Sequence, residues 1–231
     1  MKTKLFLLAT LVVAMVGCDG CEPDPVKQKY VDLGLSVKWA TCNIGANSPE
    51  EFGDYFAWGE VKTKKYYRDD NYKWGNYTYN DEYGYGTTEY TKYCIDSNYG
   101  DADYKTRLDD DDDAAVVNLG GKWRMPTFDE LNELLEECTW KKVYKKGTLC
   151  YEVIGPNGNS IILPAGGRMI DDEPYDDEDK EIGVAGWYWT STLSPYAPDS
   201  SDAYILWFDE EVWFWESGGR SSGLCIRPVC P

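Results

Sequence analysis

The chain has 231 residues and a formal net charge of −18, which argues against nucleic acid as a partner, because phosphate binding needs patches of lysine and arginine. It contains no histidine, and this excludes histidine-based triads, general bases and metal ligands. Ten tryptophans, nineteen tyrosines and six phenylalanines supply ample core for one domain of this length.

The first 17 residues have the pattern of a secretory signal. Lys2 and Lys4 precede an apolar run over residues 5–16, which is shorter than the roughly 20 residues that span a bilayer. The run ends in Ala-Met-Val-Gly before Cys18 and resembles a bacterial lipoprotein signal. We expect residues 1–17 to be that signal and Cys18 to be lipidated. The alternative is ordinary secretion, with Cys18 and Cys21 left free or paired.

A lipidated Cys18 leaves seven of the eight cysteines. An exported chain permits disulfides, but an odd number leaves at least one thiol unpaired or paired between chains. Their spacing does not fix the pairing.

Residues 18–29 are polar, contain two prolines and read as a tether between lipid and domain. We expect a single domain over residues 30–231. Alternating apolar residues over 30–45 predict strands, and residues 55–60 predict another. Between them, Ser-Pro-Glu-Glu at 48–51 predicts the start of a short helix.

Residues 62–107 differ in composition from the rest of the chain. Eleven of the nineteen tyrosines lie there among Asn, Asp, Gly and Thr, with few aliphatic residues. This composition predicts a long insertion with little regular structure that packs on the main body through its tyrosines. Loops of this length are functional or mobile in compact domains. The alternative is a solvated excursion without a role.

Two helices are predicted in the middle of the chain. Asp109 is a candidate N-cap for a helix that ends at Gly120. This reading is favoured over a calcium site, because the aspartates at 109–113 lack EF-hand spacing. Trp123 and Met125 then alternate with basic residues, as in a half-buried strand.

The second helix has the clearest local signal in the sequence. Thr127 and Glu130 form a capping box, and the apolar residues that follow have the spacing of one buried face. These residues are Leu131, Leu134, Leu135 and Cys138.

The C-terminal half is rich in strands. Two β-branched runs at 151–154 and 159–163 flank Gly-Pro-Asn-Gly and predict a hairpin, and residues 171–181 form an acidic loop. Four further strands are predicted at 186–192, 203–208, 211–215 and 223–228. Strands outnumber the two short helices, so we expect an α+β fold with antiparallel sheets and long loop insertions.

Seven segments in this order resemble the major paralogous domain of Bacteroidetes lipoproteins, and together they cover nearly all of residues 30–229. They lie at 30–45, 55–60, 112–115, 123–127, 156–159, 189–192 and 226–229. The resemblance implies a C-type-lectin-like fold, with two helices beside antiparallel sheets and with the N- and C-terminal strands adjacent. Sulfatase-modifying (formylglycine-generating) proteins share this broad fold, which does not by itself give a function.

The chain departs from the functional motifs of those relatives. Cys225 and Cys230 have the five-residue spacing of the formylglycine-generating cysteine pair but lie on or after the last strand. The Glu-Pro-Asn or Gln-Pro-Asp loop and the Trp-Asn-Asp strand of calcium-dependent lectins are absent. The aromatic residues at 204–215 exceed what the family leads us to expect.

Those aromatic residues are the candidate binding site. Alternate residues of a strand share a face, so Trp213 and Trp215 point the same way. We expect them to line a ligand face with Trp207, Tyr204 and Arg220. Flat aromatic surfaces bind sugar rings and protein partners. The alternative is that these tryptophans belong to the core.

The sequence thus predicts a non-catalytic binding or adhesion lipoprotein on the outer membrane of the cell envelope. Its ligand is a glycan or a protein, and no cofactor or metal is expected. Arg124 and Arg227 are expected to serve the scaffold by satisfying buried carboxylates or carbonyls. Two alternatives remain: a copper-dependent thiol oxidase using Cys225 and Cys230, and a structural surface protein without a discrete ligand.

Overall fold

The computed structural model describes residues 28–80, 85–170, 181–197 and 199–231. The predicted signal peptide with Cys18, most of the tether, and the acidic loop at 171–180 lie outside these residues. The described chain is mostly β-sheet with two short helices, which confirms the predicted α+β class. None of the described helices has the length and apolarity needed to cross a membrane.

Twelve strands and two helices are described. The strands are β1 (Tyr30–Val31), β2 (Lys38–Ala40), β3 (Gly75–Asn80), β4 (Tyr85–Cys94), β5 (Gly100–Ala102), β6 (Thr139–Lys145), β7 (Thr148–Ile154), β8 (Ser160–Pro164), β9 (Gly186–Leu193), β10 (Asp202–Phe208), β11 (Trp213–Gly219) and β12 (Val229–Cys230). The helices are α1 (Ala114–Leu119) and α2 (Phe128–Glu137). The twelve strands form four three-stranded sheets, in the orders β1-β2-β12, β3-β4-β5, β6-β7-β8 and β11-β10-β9.

The two ends of the domain meet in one sheet. The strand β2 pairs antiparallel with both β1 and β12, with Trp39 opposite Val31 on one side and Val229 on the other. Trp39 and Val229 are buried in the core that also holds the apolar face of α2. The adjacent terminal strands that the resemblance implies are therefore confirmed.

The helix α2 begins as predicted. The Thr127 hydroxyl accepts the Glu130 N–H at 3.3 Å, and the Glu130 carboxylate accepts the Thr127 N–H at 2.8 Å. Leu131 and Leu134 are buried, while Leu135 packs against the same core. The capping box and the buried face are both confirmed.

The start of α1 is not where the sequence predicted it. Asp113, rather than Asp109, caps the helix and accepts the N–H groups of Ala115 at 2.8 Å and Val116 at 3.1 Å. Its second oxygen accepts the Met125 N–H at 2.9 Å, which only the buried Asp113 is placed to do. The preceding aspartates form a 3₁₀ turn, Asp110–Asp112.

The predicted hairpin is confirmed as β7 and β8, joined by a turn at 155–159. The strand β6 was not predicted; it pairs with β7 across the two-residue turn of Lys146 and Gly147. Both turn residues have positive φ, of 50° and 86°, as a tight hairpin requires. Lys-Gly is a weaker signal for such a turn than Asn-Gly.

Several predicted elements are wrong. Residues 48–51 form turns rather than a helix, and the chain changes direction at Gly53, which has φ +75°. Residues 55–60, 123–125 and 223–228 are not strands. Each makes only isolated bridges to distant segments, such as Phe56 to Leu224 and Arg124 to Val229. The strand predicted at 211–215 is shifted, since β11 begins at Trp213 and extends to Gly219.

The insertion at 62–107 has more regular structure than predicted. It holds the β3-β4-β5 sheet, in which β4 and β5 are parallel. Its packing through tyrosines is confirmed, since Tyr72, Tyr90 and Tyr93 are all at least nine-tenths buried. The insertion is thus a small sheet docked on the body by buried aromatic rings.

A buried carboxylate also holds the insertion. Asp112 is within 2.6 Å of Lys92 Nζ and 3.1 Å of Lys73 Nζ, and it accepts the Tyr93 hydroxyl at 2.7 Å. Burial raises the pKa of Asp112, but the hydrogen bonds from Lys92, Tyr93 and Lys73 outweigh burial and hold the pKa below its ordinary value. The carboxylate therefore stabilises the fold in its charged form.

This arrangement predicts an acid-sensitive contribution to stability. A lowered folded-state pKa stabilises fully above the unfolded aspartate pKa of about 4, and the stabilisation is lost as pH falls through the folded value. We expect Asp112→Asn to lower the free energy of unfolding at pH 7 by about 1–3 kcal/mol. The difference in the free energy of unfolding between Asp112→Asn and wild type should be smaller at pH 3 than at pH 7, as measured by urea denaturation. Asp111→Asn, at an exposed neighbour, is the control, and an equal gap at both pH values would contradict the assignment.

All six described cysteines are free thiols, and all but Cys138 are buried. Burial raises the pKa of Cys138 to about 11 and that of Cys225 to about 12. Within the described chain, then, the fold is held together without disulfide bonds.

Candidate functional site

The hairpin of β10 and β11 carries the predicted site residues, and its turn sets their register. The Asp209 carboxylate accepts the N–H groups of Glu211 at 2.7 Å and Val212 at 2.9 Å. The Asp209 N–H in turn donates to the Val212 carbonyl at 3.0 Å. This tight connection places Phe208 directly opposite Trp213.

The register divides the aromatic residues between two faces, because directly opposed residues of an antiparallel pair share a face. We call the face with Tyr204, Leu206, Phe208, Trp213 and Trp215 the first face. The second face carries Ile205, Trp207, Phe214 and Glu216. The prediction that Trp207 shares a face with Trp213 and Trp215 is therefore wrong.

The first face lies over the core, and its two tryptophans are only partly covered. Trp213 stacks on Trp140 with ring centroids 5.8 Å apart and planes 11° apart. Trp215 stacks in the same way on Tyr196, at 5.8 Å and 11°, and contacts Phe128 edge-on at 5.4 Å. Trp213 remains 38% exposed and Trp215 36% exposed. Both of the roles considered from sequence, core packing and surface display, thus apply to the same rings.

Tyr204 lies deeper on the first face than predicted. Its ring stacks on Phe128 with centroids 3.9 Å apart, and the residue is buried. It meets Trp215 edge-on at 5.6 Å. Tyr204 therefore supports Trp215 from below and is not itself a surface residue.

The second face has its own partly exposed cluster. Trp207 packs against Phe214 at 5.1 Å and against Trp187 at 6.2 Å. The Trp187 indole N–H donates to Glu181 at 2.6 Å, and the Arg168 guanidinium lies 4.6 Å from its ring. A shallow cavity of about 210 Å³ lies beside this cluster. It is lined by Arg168, Trp187, Glu216, Ser217, Gly218, Gly219, Ser222 and Leu224.

The two faces meet at the end of β11, where three consecutive side chains are exposed. Trp213, Phe214 and Trp215, which we call the aromatic edge, are each more than a third exposed. Phe214 was not predicted as a candidate site residue, because the predicted site lay on one face of the strand only. Alternation along the strand does show that Phe214 points away from its neighbours.

Arg220 is placed differently from the prediction, because it is 1% exposed and lines no surface. Its guanidinium donates to the Tyr72 hydroxyl at 3.0 Å and to the carbonyls of Tyr93 at 3.2 Å, Ser200 at 2.9 Å and Lys92 at 2.9 Å. Three of these partners belong to the insertion. Arg220 thus joins the end of β11 to the docked insertion sheet.

This burial predicts a structural phenotype for Arg220. Arg220→Met leaves three buried carbonyl oxygens without their donor, and we expect a loss of about 2–4 kcal/mol in the free energy of unfolding. Urea denaturation followed by tryptophan fluorescence measures it.

The control is Arg68→Met, because the Arg68 side chain is 39% exposed and pairs at 3.3 Å with Asp70, which is 50% exposed. A surface pair of this kind contributes less than about 1 kcal/mol. Equal stability of Arg220→Met and wild type would show that the buried bonds do not hold the insertion.

Arg124 and Arg227 serve the scaffold, as predicted. Arg124 pairs with the Glu130 carboxylate, with one contact at 2.7 Å. Arg227 is 2% exposed and bonds Asn43 and the carbonyls of Ala40, Thr41 and Ile162 at 2.8–3.1 Å. Arg227 thus joins segments that are distant in sequence, whereas Arg124 stabilises the start of α2 through Glu130.

The two cysteines of the oxidase alternative lie in different surroundings. The Cys225 thiol is within 3.4 Å of the Phe52 carbonyl, whereas Cys230 sits opposite Lys38 in the terminal sheet. Burial raises the pKa of both thiols, to about 12 for Cys225. Burial therefore favours the neutral form of both thiols.

An open cleft of about 540 Å³ lies beside the aspartates of the 3₁₀ turn. It is lined by Arg107, Leu108, Asp109, Asp110, Asp111, Asp113 and Arg124. Across the described residues, no group of acidic or cysteine side chains has the arrangement of a metal site.

Comparison of the chain with protein-family models, with curated proteins and with solved structures found no match. The resemblance to the major paralogous domain remains a prediction.

Proposed function

We propose that this protein is a non-catalytic binding or adhesion lipoprotein of the cell envelope, anchored in the outer membrane through Cys18. Its ligand, a glycan or a protein, contacts the aromatic edge. The observation that carries the proposal is the exposure of Trp213, Phe214 and Trp215 side by side on a supported strand. An exposed aromatic patch of this kind on a folded domain is typical of an interaction site.

The geometry suits binding because the rings are held in place before a ligand arrives. Trp213 rests on Trp140, and Trp215 rests on Tyr196 and Phe128. A rigid ring loses little conformational entropy on binding, and its flat face packs against sugar rings or apolar side chains. The contacts with the core thus fix the orientation of the same rings that are exposed at the surface.

We further propose that the fold is C-type-lectin-like. The pairing of β2 with β12 joins the two ends of the domain, and α1 and α2 lie beside mainly antiparallel sheets. The insertion at 62–107 and the aromatic hairpin then correspond to the variable, loop-rich part of such a domain. This architecture places variation on a scaffold closed by its own termini.

The binding site is tested by removing each exposed ring. We expect Trp213→Ala and Trp215→Ala each to weaken binding to glycans on an array, or to proteins in a pull-down, by at least about tenfold. Because each ring is about two-thirds buried, each change should also lower the free energy of unfolding by about 1–3 kcal/mol. Binding must therefore be compared at a temperature where every variant is folded.

Tyr30→Ala is the matched control, since Tyr30 is 55% exposed on β1 in another sheet. It should bind as wild type does. Folded Trp213→Ala and Trp215→Ala proteins with undiminished binding would remove the aromatic edge from the site. A wild-type protein that binds nothing on either panel would favour a structural surface role.

The anchor makes a separate prediction. In a bacterium that processes lipoproteins, the wild-type chain should fractionate with the membrane, and Cys18→Ser should move it to the soluble fraction. Cys21→Ser, three residues further on, should stay with the membrane. Fatty-acid labelling of the chain that survives Cys18→Ser would contradict lipidation at this residue.

A further inference from the structure

We infer that β11 receives an extended, basic polypeptide segment, which adds as a fourth strand to the β11-β10-β9 sheet. This inference deepens the proposed binding role and rests on it. It names a protein strand as the ligand and assigns recognition to the backbone of β11 as well as to its rings.

The strand β11 is the outer strand of its sheet, and within the described chain it pairs only with β10. Its residues Trp213 to Glu216 are all exposed. Sheet edges are usually protected by lysine, proline, bulges or a covering element. The segment Trp-Phe-Trp-Glu-Ser-Gly-Gly contains neither lysine nor proline, and no irregularity interrupts its register with β10.

The alternation of hydrogen-bonded and non-bonded residue pairs along the hairpin identifies which backbone amides of β11 face away from β10. At one end, the Asp209 N–H donates to the Val212 carbonyl, and at the other end the Arg220 N–H donates to the Ser201 carbonyl. Bonded and non-bonded pairs alternate along an antiparallel ladder. Both ends fit one alternation, in which Phe214, Glu216 and Gly218 of β11 bond to β10.

The remaining residues of β11 therefore present their backbone groups to the open side. These are Trp213, Trp215, Ser217 and Gly219. The Gly219 carbonyl accepts the Ser222 N–H at 3.0 Å, whereas no bond from the backbone of the other three to another described element is found. An added strand is the ligand that satisfies such a row of alternating N–H and C=O groups. A neutral glycan would contact the rings and leave this row unused.

The surrounding charge selects a basic strand. The turn before β11 carries Asp209, Glu210 and Glu211, and Glu216 is exposed on β11 itself. Helix α2, which packs beside the hairpin through Phe128, holds five acidic residues and no basic one. Lys142 offsets Glu210 at 3.1 Å. The net charge of −18 adds to this local field.

The same charge disfavours a second copy of the chain as the occupant. Two β11 strands that paired antiparallel with each other would place the exposed Glu216 of each copy near that of the other, and each copy carries a net charge of −18. Like charges across a sheet are destabilising. A strand with lysine or arginine at alternate positions would instead place its cations near Glu216 and over aromatic faces. Its other side chains would lie beside Trp213 and Trp215.

The test uses the full chain carrying Cys18→Ser, which cannot be acylated, and a phage-displayed library of random linear peptides. We expect the selected peptides to carry lysine or arginine at alternate positions between apolar residues. Binding of a synthetic copy of the strongest peptide, measured by calorimetry, should weaken as salt is raised.

Ser217→Pro separates the backbone edge from the rings. It removes one outward N–H and blocks an added strand, while the inward bonds to β10 and all three rings of the aromatic edge remain. We expect it to weaken peptide binding by at least about tenfold, and Ser217→Ala, which keeps the N–H, to bind as wild type does. Melting curves establish that both variants fold. If Ser217→Pro does not fold, Glu216→Lys should weaken binding of the basic peptide in its place.

Each other result overturns the inference in a distinguishable way. Equal peptide binding by wild type and folded Ser217→Pro would exclude the edge but leave the binding role intact. Glycan binding that depends on Trp213 and Trp215, with no peptide selected, would do the same. A dimer that Ser217→Pro abolishes in sedimentation would make a second copy the occupant. Binding to neither glycans nor peptides would remove both the edge and the proposed function.

Discussion

Two buried guanidinium groups hold together the loop-rich parts of this protein. Arg220 and Arg227 are almost fully buried, and neither has a carboxylate partner among the described residues. Burying a charge costs several kcal/mol unless hydrogen bonds replace its water. Here backbone carbonyls from several segments supply those bonds. Each arginine therefore requires its segments to be in place together, which favours one arrangement of loops that have little regular structure of their own.

The aromatic hairpin depends on this arrangement. Arg220 follows β11 directly and fixes its far end against the insertion, while the Asp209 turn fixes the near end. Between these two points, the underside of the first face is packed on Trp140, Tyr151 and Phe128. The strand β11 is thus held at both ends and supported from below, while no described strand covers its outer edge. Rigidity and exposure are thus compatible at this one place.

The sequence was informative where the signal is local. The capping box of Thr127 and the hairpin at Asn157-Gly158 need only neighbours in the chain, and both formed as predicted. Residues 55–60 and 223–228 were predicted as strands because they are apolar, yet their partners are single distant residues. Trp207 was assigned to the wrong face because the register of a hairpin depends on the length of its turn. A change of one residue in that length would move Trp207 to the face that carries Trp213. Arg220 gave no signal of burial, since its partners are carbonyls of segments far along the chain.

The free thiols have a consequence for how the domain folds. Cys42, Cys94, Cys150, Cys225 and Cys230 are enclosed by the native packing. Formation of the described fold requires no disulfide bond and therefore no oxidant. Because alkylating reagents reach enclosed sulfur atoms only when the structure opens, the labelling rate of each cysteine reports the opening of its own region. The buried cysteines thus report on the terminal sheet (Cys230), the insertion (Cys94) and the β6-β7-β8 sheet (Cys150).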